Sequence, residues 1–465
     1  MSTEDVRDSV PGPSTAKSGV WSKIASAATV KVVVMGFAGL IGMFTSRLII
    51  AHFGVAAFGQ YGLLTTLPTL LPFADLGIAA VVINAIAESH DPQRDEKVTA
   101  TITTAFRILL GSGLVIAAIA AVLTFADAWP ALLGRGGLLP GAELVPFICM
   151  AIFGLALPLS VGPRVMVGLG RNTTQIATTA IAAPFNIVAV AILAALIPTA
   201  GNYLAVITYV SAALVSVVCL GLAARAISPQ IGVAATRIPF RRRHPGVRAA
   251  HLAWPMLAQM LALPVAMQTD RLLLSHLTSG DELAQYNLAS QLFNIIIQTV
   301  AAAGVALWPV FAKARSQQQV VSPARPTVIF LGLGLAGGLA MALCSPWLVG
   351  FVGSGKIELS QPLIWGYVVF ATLQAAKYPA GMYMTDHRGL RFQVLPIFIM
   401  VPLNLGLSWW LIYLVGAGGP IIGSAISVLI CQVIPNLYYV RRDLDRRRAE
   451  QVAETPEVGG ESTPA

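Results

Sequence analysis

Uncharged or nearly uncharged runs of about 20 residues follow one another along almost the whole chain, and each is long enough to cross a bilayer. Little else constrains the fold so strongly. Of 465 residues, 56% are hydrophobic and only 11% are charged, whereas an average soluble domain carries roughly 25% charged residues. A transmembrane barrel would show alternating segments of about 10 residues, which this pattern lacks. The expected class is therefore an all-α integral membrane protein.

The runs predict twelve spans, at about 29–51, 60–83, 103–125, 144–167, 174–197, 203–225, 251–276, 286–311, 327–351, 362–384, 392–414 and 419–440. Alternate connections then separate by charge. One set holds Lys17, Lys23, Arg94, Lys97, Arg164, Arg171, the 237–248 segment, Lys313, Arg315, Arg325, Arg388, Arg391 and the RRDLDRRR tail, while the other holds little beyond Arg135 and Lys356. The positive-inside rule puts both termini in the cytoplasm of a multi-pass protein. The polar N-terminus lacks the apolar core and small-residue cleavage site of a signal peptide, so a short tail is expected.

Two copies of one pattern lie on either side of an arginine-rich break. TSRLIIAHFGVAAFGQYGL begins at Thr45, and TDRLLLSHLTSGDELAQYNL begins at Thr269 with one inserted residue. Pro184-Phe185-Asn186 recurs as Pro402-Leu403-Asn404. Several matches in the same order point to a duplication. Six spans per half make the repeat parallel, with a pseudo-two-fold axis along the membrane normal. The expected organisation is a cytoplasmic tail (1–28), a six-helix bundle (29–226), a basic linker (227–250), a second six-helix bundle (251–440) and a C-terminal tail (441–465), with a central cleft between the bundles. The stretch from 225 to 248, which includes most of this linker, carries six arginines and no acidic residue, which suits anionic phospholipid headgroups; the membrane context argues against nucleic acid.

Ionisable side chains inside spans usually face a bundle interior or a wet cavity. Arg47 and Arg271 occupy equivalent places in the two copies, and Lys377 lies in the inner half of the tenth span. Either they snorkel to headgroups, or they line the cleft and give an anion a positive path. Asp270 is either a structural hydrogen-bonding group or a binder of a coupling cation; Asp75 is either a cap or buried helix partner, or part of the same machinery. GxxxxGK[ST], HExxH and GxSxG motifs are absent, as is any metal-spaced His/Cys cluster. GLGR at Gly168 and GLGLAGG at Gly332 suit close helix packing rather than a dinucleotide. Cys149, Cys219, Cys344 and Cys431 lie singly in apolar runs as small buried thiols.

RLIIAHFGVAAFGQYGLLTTL with FADLGI in the first half, and TDRLLLSHL…AQYNLASQLF in the second, resemble the multidrug/oligosaccharidyl-lipid/polysaccharide superfamily. Within it, the Wzx-type polysaccharide flippases are the branch implied. That resemblance implies a MATE/Wzx-like fold and a non-enzymatic flippase in the bacterial inner membrane. The cargo would be undecaprenyl-diphosphate-linked oligosaccharide, moved by alternating access without a bound cofactor and driven by a proton or sodium gradient. A polysaccharide polymerase is an expected partner. Arg47, Asp75, Asp270 and Arg271 carry over as positions in matching motifs, whereas Lys377 rests on its charge alone. The lipid II flippases of the superfamily carry two further spans, which the RRDLDRRR ending does not suit. Two rivals remain. A MATE-like exporter of organic cations would need an anionic cleft, and a glycosyltransferase or ligase would need a large outer loop.

Overall fold

Helix is what an apolar run must adopt in lipid, because its peptide groups find partners only within the segment. The computed structural model describes residues 13–134, 137–240, 243, 269–305, 307–317 and 319–454, and no strand occurs among them. Up to residue 240 the helices are α1 (Pro13–Phe53), α2 (Val55–Thr66), α3 (Ile78–Ala87), α4 (Glu96–Phe125), α5 (Trp129–Leu133), α6 (Val145–Ala156), α7 (Val161–Gly168), α8 (Asn172–Thr179), α9 (Ala182–Leu196), α10 (Leu204–Ala226) and α11 (Gln230–Thr236). Then come α12 (Asp270–Leu277), α13 (Gly280–Val305), α14 (Trp308–Ser316), α15 (Ala324–Val352), α16 (Gln361–Tyr383), α17 (His387–Val415), α18 (Gly419–Val428) and α19 (Ile434–Glu454).

Eight stretches among the described residues are long and apolar enough to cross a membrane. The last, Arg388–Ala449, contains two of the spans expected from sequence. The second expected span is broken. α2 ends at Thr66, and Pro68 and Pro72 open short 3-10 turns before Leu76 and Gly77, both at positive φ, lead into α3. Proline removes a backbone donor and restricts the residue before it, which stops the helix there. Most of the seventh expected span, 251–268, lies outside the described residues, as do 1–12, 455–465, Arg135 and most of the 241–250 stretch.

Helix reaches into both expected tails, since α1 begins at Pro13 and α19 runs on to Glu454. The start of the expected linker is packed against the first half. α11 packs on α4, where Gln230 bonds Thr99 and donates to Gln93 O at 2.7 Å. Arg237 pairs with Glu96. Arg107, deep in α4, donates to the carbonyls of Ile238 at 3.0 Å and Arg237 at 2.6 Å.

Polarity is sorted for lipid rather than water. Leu114, Val122, Leu196, Val328 and Leu343 are exposed, and so are Trp347, Trp409, Trp410 and Tyr413. Such surfaces mark contact with a membrane, and Trp and Tyr collect at its interfaces. Cys344 shares that exposed surface, contrary to the buried place expected for it, while Cys149, Cys219 and Cys431 are buried. Small residues let helices approach. A Cβ on Gly334 would stand 2.6 Å from that of Ala375 in α16, whereas Gly332 faces open space. The closest approach is between α4 and α6, where a Cβ on Gly113 would run into the backbone carbonyl of Gly154. Gly113→Ala should therefore destabilise the detergent-solubilised protein by roughly 1–3 kcal/mol, as overpacking does, whereas Gly111→Ala, which meets nothing within 4 Å, should not. Thermal unfolding of the two variants checks this.

Candidate functional site

A cavity of about 490 Å³ lies where α2 faces α12, α13, α16 and α18. On α13 its lining runs Asn287, Gln291, Asn294, Gln298, and on α16 it runs Tyr367, Gln374, Lys377, Tyr378. Both sets extend over eleven residue steps on one helical face, so the cavity is about 16 Å long at about 1.5 Å per residue. Asp270 and Arg271 close one end, Lys377 and Gln298 lie towards the other, and Phe58, Tyr61 and Thr65 of α2 form the facing wall. Amides, hydroxyls, aromatic rings and two cations make up most of this surface.

Neither Arg271 nor Lys377 is ion-paired among the described residues. Lys377 Nζ lies 5.5 Å from the centre of the Tyr378 ring. Arg271 donates from Nε to Asn287 Oδ1 at 2.6 Å, and its guanidinium sits 6.0 Å from the centre of the Tyr286 ring. Asn287 in turn donates to Gly59 O at 3.2 Å across to α2. Position 62, the counterpart of Asn287 in the first copy of the repeat, is glycine, and it lies directly against the Asn287 side chain. Equivalent positions that meet in this way are what an approximate two-fold axis requires.

That glycine explains why the two arginines part company. Arg47 has no amide at position 62 to hold it inward. It is exposed, donates from Nη1 to Phe351 O at 3.0 Å and lies 4.3 Å from the centre of the Phe351 ring. The structure thus places Arg271 and Lys377 on the cavity and does not place Arg47 there. Lys356, the other outlying cation of that membrane face, binds the carbonyls of Ile50 and Ala51 at 3.3 and 3.2 Å. With Arg47 it ties the α15–α16 connection to the end of α1. His52 and His276 each bond the carbonyl four residues back, and His276 Nε2 also lies 3.0 Å from Ala131 O in the first half.

Asp270 is 3% exposed. Tyr286 donates to its Oδ2 at 2.7 Å and Ser424 at 3.3 Å, and Ser424 also lies 3.2 Å from Asn404 Oδ1. Asp270 Oδ1 has no hydrogen-bond partner among the described residues. Asp75 lies elsewhere. Its Oδ2 pairs with Arg164 Nη2 at 3.1 Å, its Oδ1 accepts from Gly77 N at 3.0 Å, and Ser160 receives Arg164 Nη1 at 2.7 Å. The pair joins the break before α3 to α7, which is the buried-partner role the sequence leaves open. Among the described residues no group of His, Cys, Asp and Glu could hold a metal ion.

Asn287, Arg107, the α13 amides and the α16 tyrosines carry no weight in the motif-based reading. A signal for the α13 set was available: Asn287, Gln291, Asn294 and Gln298 fall at steps of four, three and four, the polar stripe of one helix face in an otherwise apolar run.

The family described as "Polysaccharide biosynthesis protein" matches residues 20–315. No curated protein matches the sequence. Similar solved structures include a multidrug resistance MATE family transporter of the MOP superfamily, inward-facing, at 15% identity with TM-score 0.64, covering 91% of this chain and 99% of that one. The lipid II flippase MurJ in an inward closed conformation is similar at 12% identity with TM-score 0.66, covering 91% of each chain. A MOP superfamily transporter from Pyrococcus furiosus Vc1 (DSM3638), described by a binding pocket of reverse polarity that suggests a different function, shares 14% identity with TM-score 0.55 and covers 92% and 96% of the two chains. At such identities the likeness is one of fold, which is all-α and MATE-like.

Removing one partner of a fully buried pair strands the other charge at a cost of about 3–5 kcal/mol, and the partly buried Asp75–Arg164 pair should show a smaller loss in the same direction. Arg164→Met should lower the unfolding temperature, and adding Asp75→Leu should restore most of it. Were Asp75→Asn instead to leave stability intact and stop transport, Asp75 would belong to the coupling machinery.

Proposed function

From a chain that belongs to the polysaccharide biosynthesis protein family, we propose a flippase that carries an undecaprenyl-diphosphate-linked oligosaccharide from the inner to the outer leaflet of the bacterial plasma membrane, with both termini in the cytoplasm. One observation carries this reading: two cations without ion-pair partners among the described residues, Arg271 and Lys377, share a cavity otherwise built largely of amides, hydroxyls and aromatic rings. An unpaired diphosphate in hydrocarbon meets a prohibitive desolvation cost, which fixed cations along its path reduce. Amides and hydroxyls offer sugar hydroxyl groups replacements for water, and tyrosine rings offer flat apolar faces to pyranose rings. The polyprenyl tail stays in lipid while the head crosses. Protein movement, rather than bond chemistry, accomplishes the step.

Alternating access requires the cavity to face each side in turn, and the contact of Asn287 with Gly59 and Gly62 is where the two copies of the repeat meet. Asp270 is the group proposed to couple this motion to a proton or sodium gradient, because its Oδ1 is buried without a partner among the described residues. Asp270 is also the one carboxylate in the lining, beside two cations, a polarity that suits an anionic cargo better than an organic cation.

The proposal is tested in proteoliposomes loaded with fluorescent lipid-linked oligosaccharide. Hydrogen bonds to charged groups contribute about 1.5–3 kcal/mol each, so Arg271→Gln with Lys377→Gln should slow translocation at least 100-fold at unchanged unfolding temperature. Arg47→Gln should stay within a few-fold of the parent. A double variant that flips at the parental rate would rule out the cationic path.

A further inference from the structure

A second basic recess lies well away from the cavity, at the arginine-rich end of the second half. It has a volume of about 540 Å³ and is formed by Arg388 and Phe392 of α17 with Tyr438, Tyr439, Arg442 and Arg446 of α19. Its floor is apolar. The Phe392 and Tyr439 rings stand 4.9 Å apart, centre to centre, and pack on a cluster that includes Phe311, Met384 and Leu444.

The carboxylates nearby are already engaged. Asp443, the acidic residue of the lining, accepts from Arg446 Nη2 and Arg447 Nε at 2.7 Å each and from Tyr383 Oη at 2.8 Å. Asp386 lies 3.9 Å from Arg315, and Asp445 lies 3.9 Å from Arg448. Arg388 and Arg442 are exposed, and neither has an ion-pair partner among the described residues. Three guanidinium groups thus share a recess with one carboxylate that is already fully bonded.

We propose that this recess holds the phosphate headgroup of an anionic membrane lipid. Guanidinium groups match phosphate oxygens in geometry and charge. The aromatic floor and the exposed Tyr438 provide the apolar contact that the glycerol and upper acyl chain of a lipid need and that a free phosphate does not. The apolar part of α19 gives way here to RRDLDRRR, a run expected at headgroup level, where each arginine contributes attraction to an anionic surface. Occupancy would pin the start of α17 to α19, beneath helices that line the cavity.

The test titrates the full chain, purified in neutral detergent, with phosphatidylglycerol and with phosphatidylcholine, and counts bound lipid by native mass spectrometry. Phosphatidylglycerol should bind in preference. At about 5-fold per guanidinium, Arg388→Gln with Arg442→Gln should weaken it roughly 30-fold. Arg391→Gln with Arg441→Gln makes the same charge change off the recess and should have a much smaller effect. Equal losses in the two pairs would reduce the effect to general surface charge, and unchanged binding in the first pair would remove the site. Displacement of the lipid by an equal concentration of inorganic phosphate would make it a free-anion site, against the proposal. Both pairs leave Arg271 and Lys377 intact, so the outcome is independent of whether the cavity carries an oligosaccharide.

Discussion

A guanidinium inside a membrane protein must be held by something, and in this chain the holder is an amide. Asn287 grips Arg271 through Oδ1 and reaches Gly59 on α2 through Nδ2. One side chain therefore orients the cavity's cation and joins α2 to α13. The arrangement depends on the missing side chain at Gly62, since any Cβ there would occupy the space of the amide. A single Gly/Asn difference between two copies of one motif breaks their symmetry and leaves one copy to supply the charged wall.

The remaining intramembrane and interfacial charges divide by what they touch. Asp75 with Arg164, Arg237 with Glu96, and Arg107 with two carbonyls are satisfied within the protein and fasten breaks, connections and helix ends. Arg47 and Lys356 do the same on the opposite face. Buried groups with full partners contribute to a defined packing. Arg271, Lys377 and Asp270 Oδ1 differ in having bonding capacity left over and a cavity beside them. That residue of unspent capacity separates a candidate site from scaffold more reliably than depth in the membrane does.

Much of this was legible in the sequence. Run lengths and charge alternation point to a multi-pass helical protein, and the repeat directs attention to Arg271 and Asp270. Hydropathy alone does not place the break at Pro68 and Pro72, because it averages over an interruption that one missing N–H imposes. The motif-based reading treated the two arginines as equals: the repeat contains the Gly62/Asn287 difference, but letters alone do not show that Asn287 packs on Arg271. The α13 amide stripe was readable by its spacing, although only Asn287 and Gln291 of it fall inside a quoted motif.

The amino-acid order alone determined the solvent: runs of apolar residues of membrane length, with arginines at alternate ends, admit little besides helices crossing lipid, because the cost of an unpaired peptide group leaves no other choice. Which charges are paired was decided only by tertiary structure. Ion pairs and hydrogen bonds reach a few ångströms, and contacts between residues 89 or more positions apart, such as Asp75 with Arg164 or Asn287 with Gly59, come about only when helices are set side by side.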